Sequence, residues 1–219
     1  VLCLHGYQQN AAIFREKSGS FRSYLKRFAD FVYMDAPHKV DLEPNTNDLK
    51  QEITCVAKAD YRAWWHVPEC YNTKEVKCYE GFSDSVSVII DFIQKEGPFD
   101  GILGFSQGAA LAFLLAAMKQ KGELDIDFKF LILISGFPSR HMEHFDLNKL
   151  PISRVPCLHV YGLADEIISC DLSKKLVKLF DKEMVVVVEH PGGHMMPSTS
   201  KYKTMIDCFF GIVQNLVSA

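Results

Sequence analysis

Ser106 stands in Gly104-Phe105-Ser106-Gln107-Gly108, directly after the apolar run Gly101-Ile102-Leu103. A strand, a tight turn bearing a serine and then a helix lift one hydroxyl out of the backbone where N–H groups converge. That hydroxyl attacks a carbonyl carbon only with a base to take its proton and an acid to orient the base. Both lie downstream. Asp165, in Tyr161-Gly162-Leu163-Ala164-Asp165-Glu166, follows an apolar run and a glycine turn, with Glu166 as the alternative acid. His194, in His190-Pro191-Gly192-Gly193-His194, follows a Val-rich run, and the glycine pair can fold its imidazole back over a sheet edge. Asp100 begins the serine's own strand, at the wrong end, and Asp171 reads as a first-turn helix charge. His190 reads as a loop residue. The chemistry these types suit is acyl transfer through a serine ester, with His194 taking the Ser106 proton and Asp165 fixing the tautomer.

Such a reaction needs donors for the oxyanion of its tetrahedral intermediate. The Gln107 N–H, at a helix start, is one expected donor. The second is the Tyr7 N–H in His5-Gly6-Tyr7-Gln8-Gln9, at the exit of the first strand. His5 is expected to brace that loop rather than move protons. Phe14, Trp64, Trp65, Phe105, Phe137 and Met195 are the residues expected to form an apolar site for the acyl group. Competing chemistries lack their residues. There is no HExxH and no glycine-lysine phosphate loop, and His141, Glu143 and His144 have no supporting ligands. Neither a metal nor a cofactor is expected.

The elements that must position these groups are short and apolar. Val1–Leu4, Phe31–Met34, Gly101–Leu103, Lys129–Leu133, Cys157–Tyr161 and Met184–Val188 read as strands, nearly continuous rather than alternating, as strands covered on both faces do. Helical spacing falls between them: Phe21 to Phe28, Val86 to Ile93, Leu172 to Phe180 and Tyr202 to Leu216. Gln107 to Met118 is apolar all round and is expected to be the most buried helix. The alternation predicts an α/β fold, with a mostly parallel sheet of about six strands and helices on both faces. His38 to Asp84 is a longer excursion than a crossover needs. Its aromatic residues, Trp64 and Trp65 among them, argue for order, either as a flap over the site or with both tryptophans pinning the loop to the body.

Composition narrows the class. The 219 residues are 48% hydrophobic, enough for a substantial core, and the net charge is −3 with no basic stripe, so nucleic acid is not an expected partner. No run is long enough to span a bilayer. Seven cysteines show no paired CxxC spacing, which suits a reducing compartment. A disulfide among Cys55, Cys70 and Cys78 stays open. The chain opens on Val1, inside a strand and without an initiating Met, and reads as a trimmed start.

The order Ser106, Asp165, His194 is that of the α/β-hydrolases. Beyond it, the chain resembles the family of serine hydrolases named from fungi, over nearly its whole length. The resemblance rests on Leu2-Cys3-Leu4-His5-Gly6-Tyr7 with Gln9, Asp35-Ala36-Pro37-His38, Arg62-Ala63-Trp64-Trp65, Tyr79-Glu80-Gly81-Phe82 with Ser85, the stretch from Phe99 to Ala110, Ile134-Ser135-Gly136-Phe137, Gly162 with Asp165, and Gly193-His194. The Gly-Phe-Ser-Gln-Gly core by itself is shared with acyl-protein thioesterases and small carboxylesterases. The resemblance implies a compact α/β-hydrolase domain over residues 1–219 with an aromatic insert at about 38–84, and a triad on Ser106, Asp165 and His194. It also implies hydrolysis of carboxylic esters, in some members with long alkyl groups. The expectation is a cytoplasmic esterase for small-molecule esters with apolar chains. A thioesterase acting on acyl-CoA, acyl-carrier or acyl-protein substrates, and a non-catalytic binding protein on the same scaffold, are the alternatives.

Overall fold

A computed structural model describes residues 1–41, 60–67 and 79–217. Cys55, Cys70 and Cys78, the disulfide candidates, lie outside the described residues, as does most of the insert at about 38–84. Six strands form one sheet in the order β2-β1-β5-β6-β7-β8, every neighbouring pair parallel. They are β1 (Leu2–Leu4), β2 (Val32–Met34), β5 (Gly101–Phe105), β6 (Phe130–Ile134), β7 (Cys157–Gly162) and β8 (Val185–His190). All six coincide with the apolar runs to within two residues at each end. A two-stranded antiparallel piece, β3 (His38–Lys39) and β4 (Arg62–Ala63), stands apart from this sheet.

The continuous apolar runs have a simple cause: alternate residues of each strand enter different cores. Leu2, Leu4, Ile102, Leu131 and Leu133 pack with α3 (Phe82–Glu96), α4 (Gln107–Lys121) and Leu176 of α5 (Cys170–Val177). Cys3, Leu103, Ile132, Ile134 and Val160 pack with Phe14 of α1 (Ala11–Lys17), Phe21 and Leu25 of α2 (Gly19–Leu25), and Phe209 of α6 (Lys203–Val217). The sheet is therefore clad on both faces. Helix α4 is the buried one, with every residue from Gln107 to Ala117 buried.

Helix α4 lies against the sheet without slack. A Cβ added at Gly104 would stand 2.4 Å from the Gly108 carbonyl oxygen, and one at Gly108 would stand 2.2 Å from the Leu4 carbonyl oxygen. Both distances are below any real carbon–oxygen contact, so only glycine lets the helix start this close to β1 and β5.

The described ends of the insert belong to the body. Trp64 is fully buried, Trp65 stacks on Tyr79 with ring centroids 4.7 Å apart, and His66 pairs with Glu80 by backbone hydrogen bonds.

Candidate active site

In a parallel sheet every strand ends on the same rim, and ligands gather there. β5 leads directly into Ser106, β6 into Ser135, β7 runs into the loop of Asp165, and β8 into the loop of His194. β1, neighbour of β5, exits into the loop of Tyr7. Residues far apart in sequence thus meet along one edge.

Ser106 has φ 52° and ψ −115°, a backbone region that few side chains adopt. Its N–H donates to the Ile134 carbonyl at 2.8 Å, and its carbonyl accepts from Ala109 and Ala110. That pins the turn and turns the hydroxyl outward. The hydroxyl lies 2.9 Å from His194 Nε2, and His194 Nδ1 lies 2.8 Å from Asp165 Oδ2. A Phe105 ring 4.9 Å from the imidazole, centroid to centroid, walls it in place.

Asp165 is held from four directions. Oδ1 accepts from the Ile167 and Ile168 N–H groups at 3.0 and 2.8 Å, and Oδ2 accepts from the Ser135 hydroxyl at 3.0 Å as well as from His194. Burial alone would raise this carboxyl, but the hydrogen bonds from His194, Ile168 and Ser135 outweigh it and keep Asp165 below the usual carboxylate value. The group is therefore an anion facing the imidazole N–H. Glu166, the alternative acid, makes no such contact with His194 among the described residues. Ser135, in the Ile134-Ser135-Gly136-Phe137 stretch, carries no role that sequence alone assigns, because a lone strand-end serine has no signature of its own.

The Tyr7 and Gln107 N–H groups flank the elbow, and neither has a hydrogen-bond partner among the described residues. His5 is neutral by construction: its Nδ1–H donates to the Gly6 carbonyl at 2.8 Å, its Nε2 accepts from the Ala36 N–H at 3.0 Å, and burial lowers its pKa.

A cavity of about 680 Å³ opens above Ser106 and His194. Phe14, Phe105, Ile167, Met195 and Met196 supply its apolar wall, and the loop Gly6 to Gln9 with Lys17 supplies its polar side. Of the six residues expected at an acyl site, Phe14, Phe105 and Met195 border this cavity. Trp64, Trp65 and Phe137 do not. The two tryptophans are inside the body, and the Trp64 indole N–H donates to the His5 carbonyl at 2.8 Å. Phe137 packs against the core on the α4 side. Ile167, Met196 and Lys17 border the cavity without having been singled out, since a loop Ile or Met looks the same in sequence whether it faces solvent or ligand.

Residues 1–206 match the family described as Serine hydrolase (FSH1). The chain belongs to the FSH1 serine hydrolase family. An FSH1-family chain is a hydrolase, so the scaffold-only alternative falls away. It is 39% identical to esterase OVCA2 of Danio rerio over 212 residues, covering 93% of this chain and 92% of that protein. It is 38% identical to esterase C25G4.2 of Caenorhabditis elegans over 214 residues, covering 95% and 91%. The crystal structure of Zea mays acyl-protein thioesterase 2 superposes with a TM-score of 0.62 over 98% of this chain and 92% of that one, at 16% identity, a likeness of fold alone. No helix among the described residues of this FSH1-family chain is long and apolar enough to cross a membrane.

Proposed function

We propose that this FSH1-family enzyme is a carboxylesterase for esters with medium- to long-chain acyl or alkyl groups, working through Ser106, His194 and Asp165. The observation that carries the reading is the chain of hydrogen bonds from Ser106 through His194 to Asp165 at 2.9 and 2.8 Å, opening on an apolar cavity of about 680 Å³. His194 Nε2 takes the hydroxyl proton as Ser106 Oγ bonds to the ester carbon. The imidazolium is stabilised by the Asp165 anion through Nδ1–H. The carbonyl oxygen, now an oxyanion, is held by the Tyr7 and Gln107 N–H groups. His194 returns the proton to the departing alkoxide, leaving an acyl-serine. Water then attacks with His194 as base, and the acid leaves as Ser106 recovers its proton.

Thioesters present the same carbonyl, but coenzyme A also brings phosphates. Lys17 is the sole lysine or arginine bordering the cavity among the described residues, which favours neutral esters. Buried free thiols at Cys3 and Cys157 suit a reducing compartment, and we read the enzyme as one cytoplasmic domain.

The test is fluorophosphonate labelling together with hydrolysis of esters graded from acetyl to dodecanoyl. Wild type is expected to be labelled and Ser106→Ala not. With each buried methylene contributing about 0.8 kcal/mol, kcat/KM is expected to rise by up to about fourfold per methylene until the cavity is filled. A flat series overturns the acyl preference, and labelling that survives Ser106→Ala overturns the nucleophile.

A further inference from the structure

We infer that the side-chain amide of Gln107 positions the oxyanion donors, acting through Arg62–Trp65 as a strap between the nucleophile turn and the Tyr7 loop. The inference rests on the proposed esterase reading, because it concerns the same oxyanion site.

The pairing of β1 with β5 runs from Leu2↔Ile102 to Leu4↔Gly104 and stops there. Tyr7 and Gln107 both lie beyond its last rung. The sheet ladder therefore does not fix the separation of their N–H groups. Gly108 packs against the Leu4 and His5 carbonyls across the gap, and residues 62–65 add the hydrogen bonds that span it. On one side, the Trp64 N–H donates to Gln107 Oε1 at 2.9 Å and Gln107 Nε2 donates to the Trp65 carbonyl at 2.8 Å. On the other, the Trp64 indole N–H donates to the His5 carbonyl at 2.8 Å, the Gln8 N–H donates to the Arg62 carbonyl at 3.0 Å, and the Arg62 N–H donates to the Gln9 carbonyl at 2.8 Å. Tyr7 is thus tied to the strap by the residues before and after it. Ser85 anchors the strap from α3, donating its hydroxyl to the Trp64 carbonyl.

Gln107 is 6% exposed, and both ends of its amide are used. A primary amide is the group that accepts from one main-chain N–H and donates to the next carbonyl at once. A carboxylate lacks the donor and an apolar chain lacks both. The same residue offers its main-chain N–H to the oxyanion, so strap and donor move together. Gln107 is in this respect a positioning residue.

Gln107→Met keeps length and removes both hydrogen bonds; Trp64→Phe keeps the ring and removes the tie to His5. The readouts are kcat and KM on an ester, and Ki for an alkyl trifluoromethyl ketone, whose adduct with serine carries the oxyanion. For Gln107→Met, kcat is expected to fall about 100-fold, the size of an ångström-scale misplacement, with KM changed by less than about threefold. Trp64→Phe is expected to lose about tenfold in kcat. In both variants Ki rises by the factor by which kcat/KM falls, and the double variant resembles Gln107→Met rather than the product of the two losses. If Gln107→Met does not fold, Trp64→Phe with the ketone decides alone. Wild-type kcat or unchanged Ki in folded variants, or losses that multiply, overturns the strap. Hydrolysis that survives Ser106→Ala, run alongside, overturns Ser106 as the nucleophile and the strap with it, and a wild type that hydrolyses no ester overturns the esterase reading itself.

Discussion

Asp165 accepts four hydrogen bonds, about as many as an ionised carboxylate has lone-pair sites to offer. Two come from main-chain N–H groups of its own loop and need no particular side chain, so Ser135 and His194 are where substitution acts. Asp165→Asn leaves the shape and inverts the hydrogen-bonding sense toward His194 Nδ1. It is expected to lower kcat by about four orders of magnitude with KM little changed, in steady-state kinetics at neutral pH. Ser135→Ala removes one of four supports and is expected to cost about tenfold, equivalent to about 1.4 kcal/mol. Equal losses in the two variants would show that the carboxylate merely orients the ring. The meeting of Ser106, Asp165 and His194 was legible because each stands within three residues of a glycine, just past an apolar run. Trp64 and Trp65 were not, since an aromatic side chain reads the same whether it walls a cavity or fills a core. What decides between them is the indole N–H of Trp64, which found the His5 carbonyl inside the body.

Helix α4 carries the elbow, and its start is set by main-chain contact with β1. Gly108→Ala would drive a methyl into the Leu4 carbonyl, so the first turn must lift away. The Gln107 N–H travels with it, and with it the tie to Trp64 and Trp65. The expected result is a loss of about 100-fold in kcat and a lower melting temperature. An unchanged kcat would mean that the helix start has room to shift. Strands were readable as elements because burial on both faces leaves them apolar throughout. Helix α1 was missed, although Asn10 caps it by accepting from the Ile13 N–H at 2.8 Å, a signal visible as an Asn before Ala-Ala-Ile-Phe. The β3–β4 pair has two residues to a strand, too few for any period to show.

Over the whole molecule, buried histidines tie stability to pH. Burial lowers His159 to about 3 and, joined by repulsion from His141, lowers His144 to about 4. It also lowers His5 and His190. Unfolded histidines take up protons near pH 6.5, whereas these take them up only at lower pH in the fold. The unfolded chain then binds more protons, so stability is complete above about pH 6.5 and falls with acid, by up to about 1.4 kcal/mol per pH unit for each such group. The lowered Asp165 adds to the loss at still lower pH. The melting temperature is expected to fall steadily from pH 7 to pH 5, and less steeply in His159→Leu, which removes a buried Nε2 without a partner. A melting temperature independent of pH over that range would contradict this account. Ser106 sits at a φ of 52°, which glycine would adopt at ease. Heat resistance and turnover pull in opposite directions at that one torsion. If Ser106 is the proposed nucleophile, a duplicate of this chain freed from hydrolysis would become sturdier by exchanging that serine for glycine.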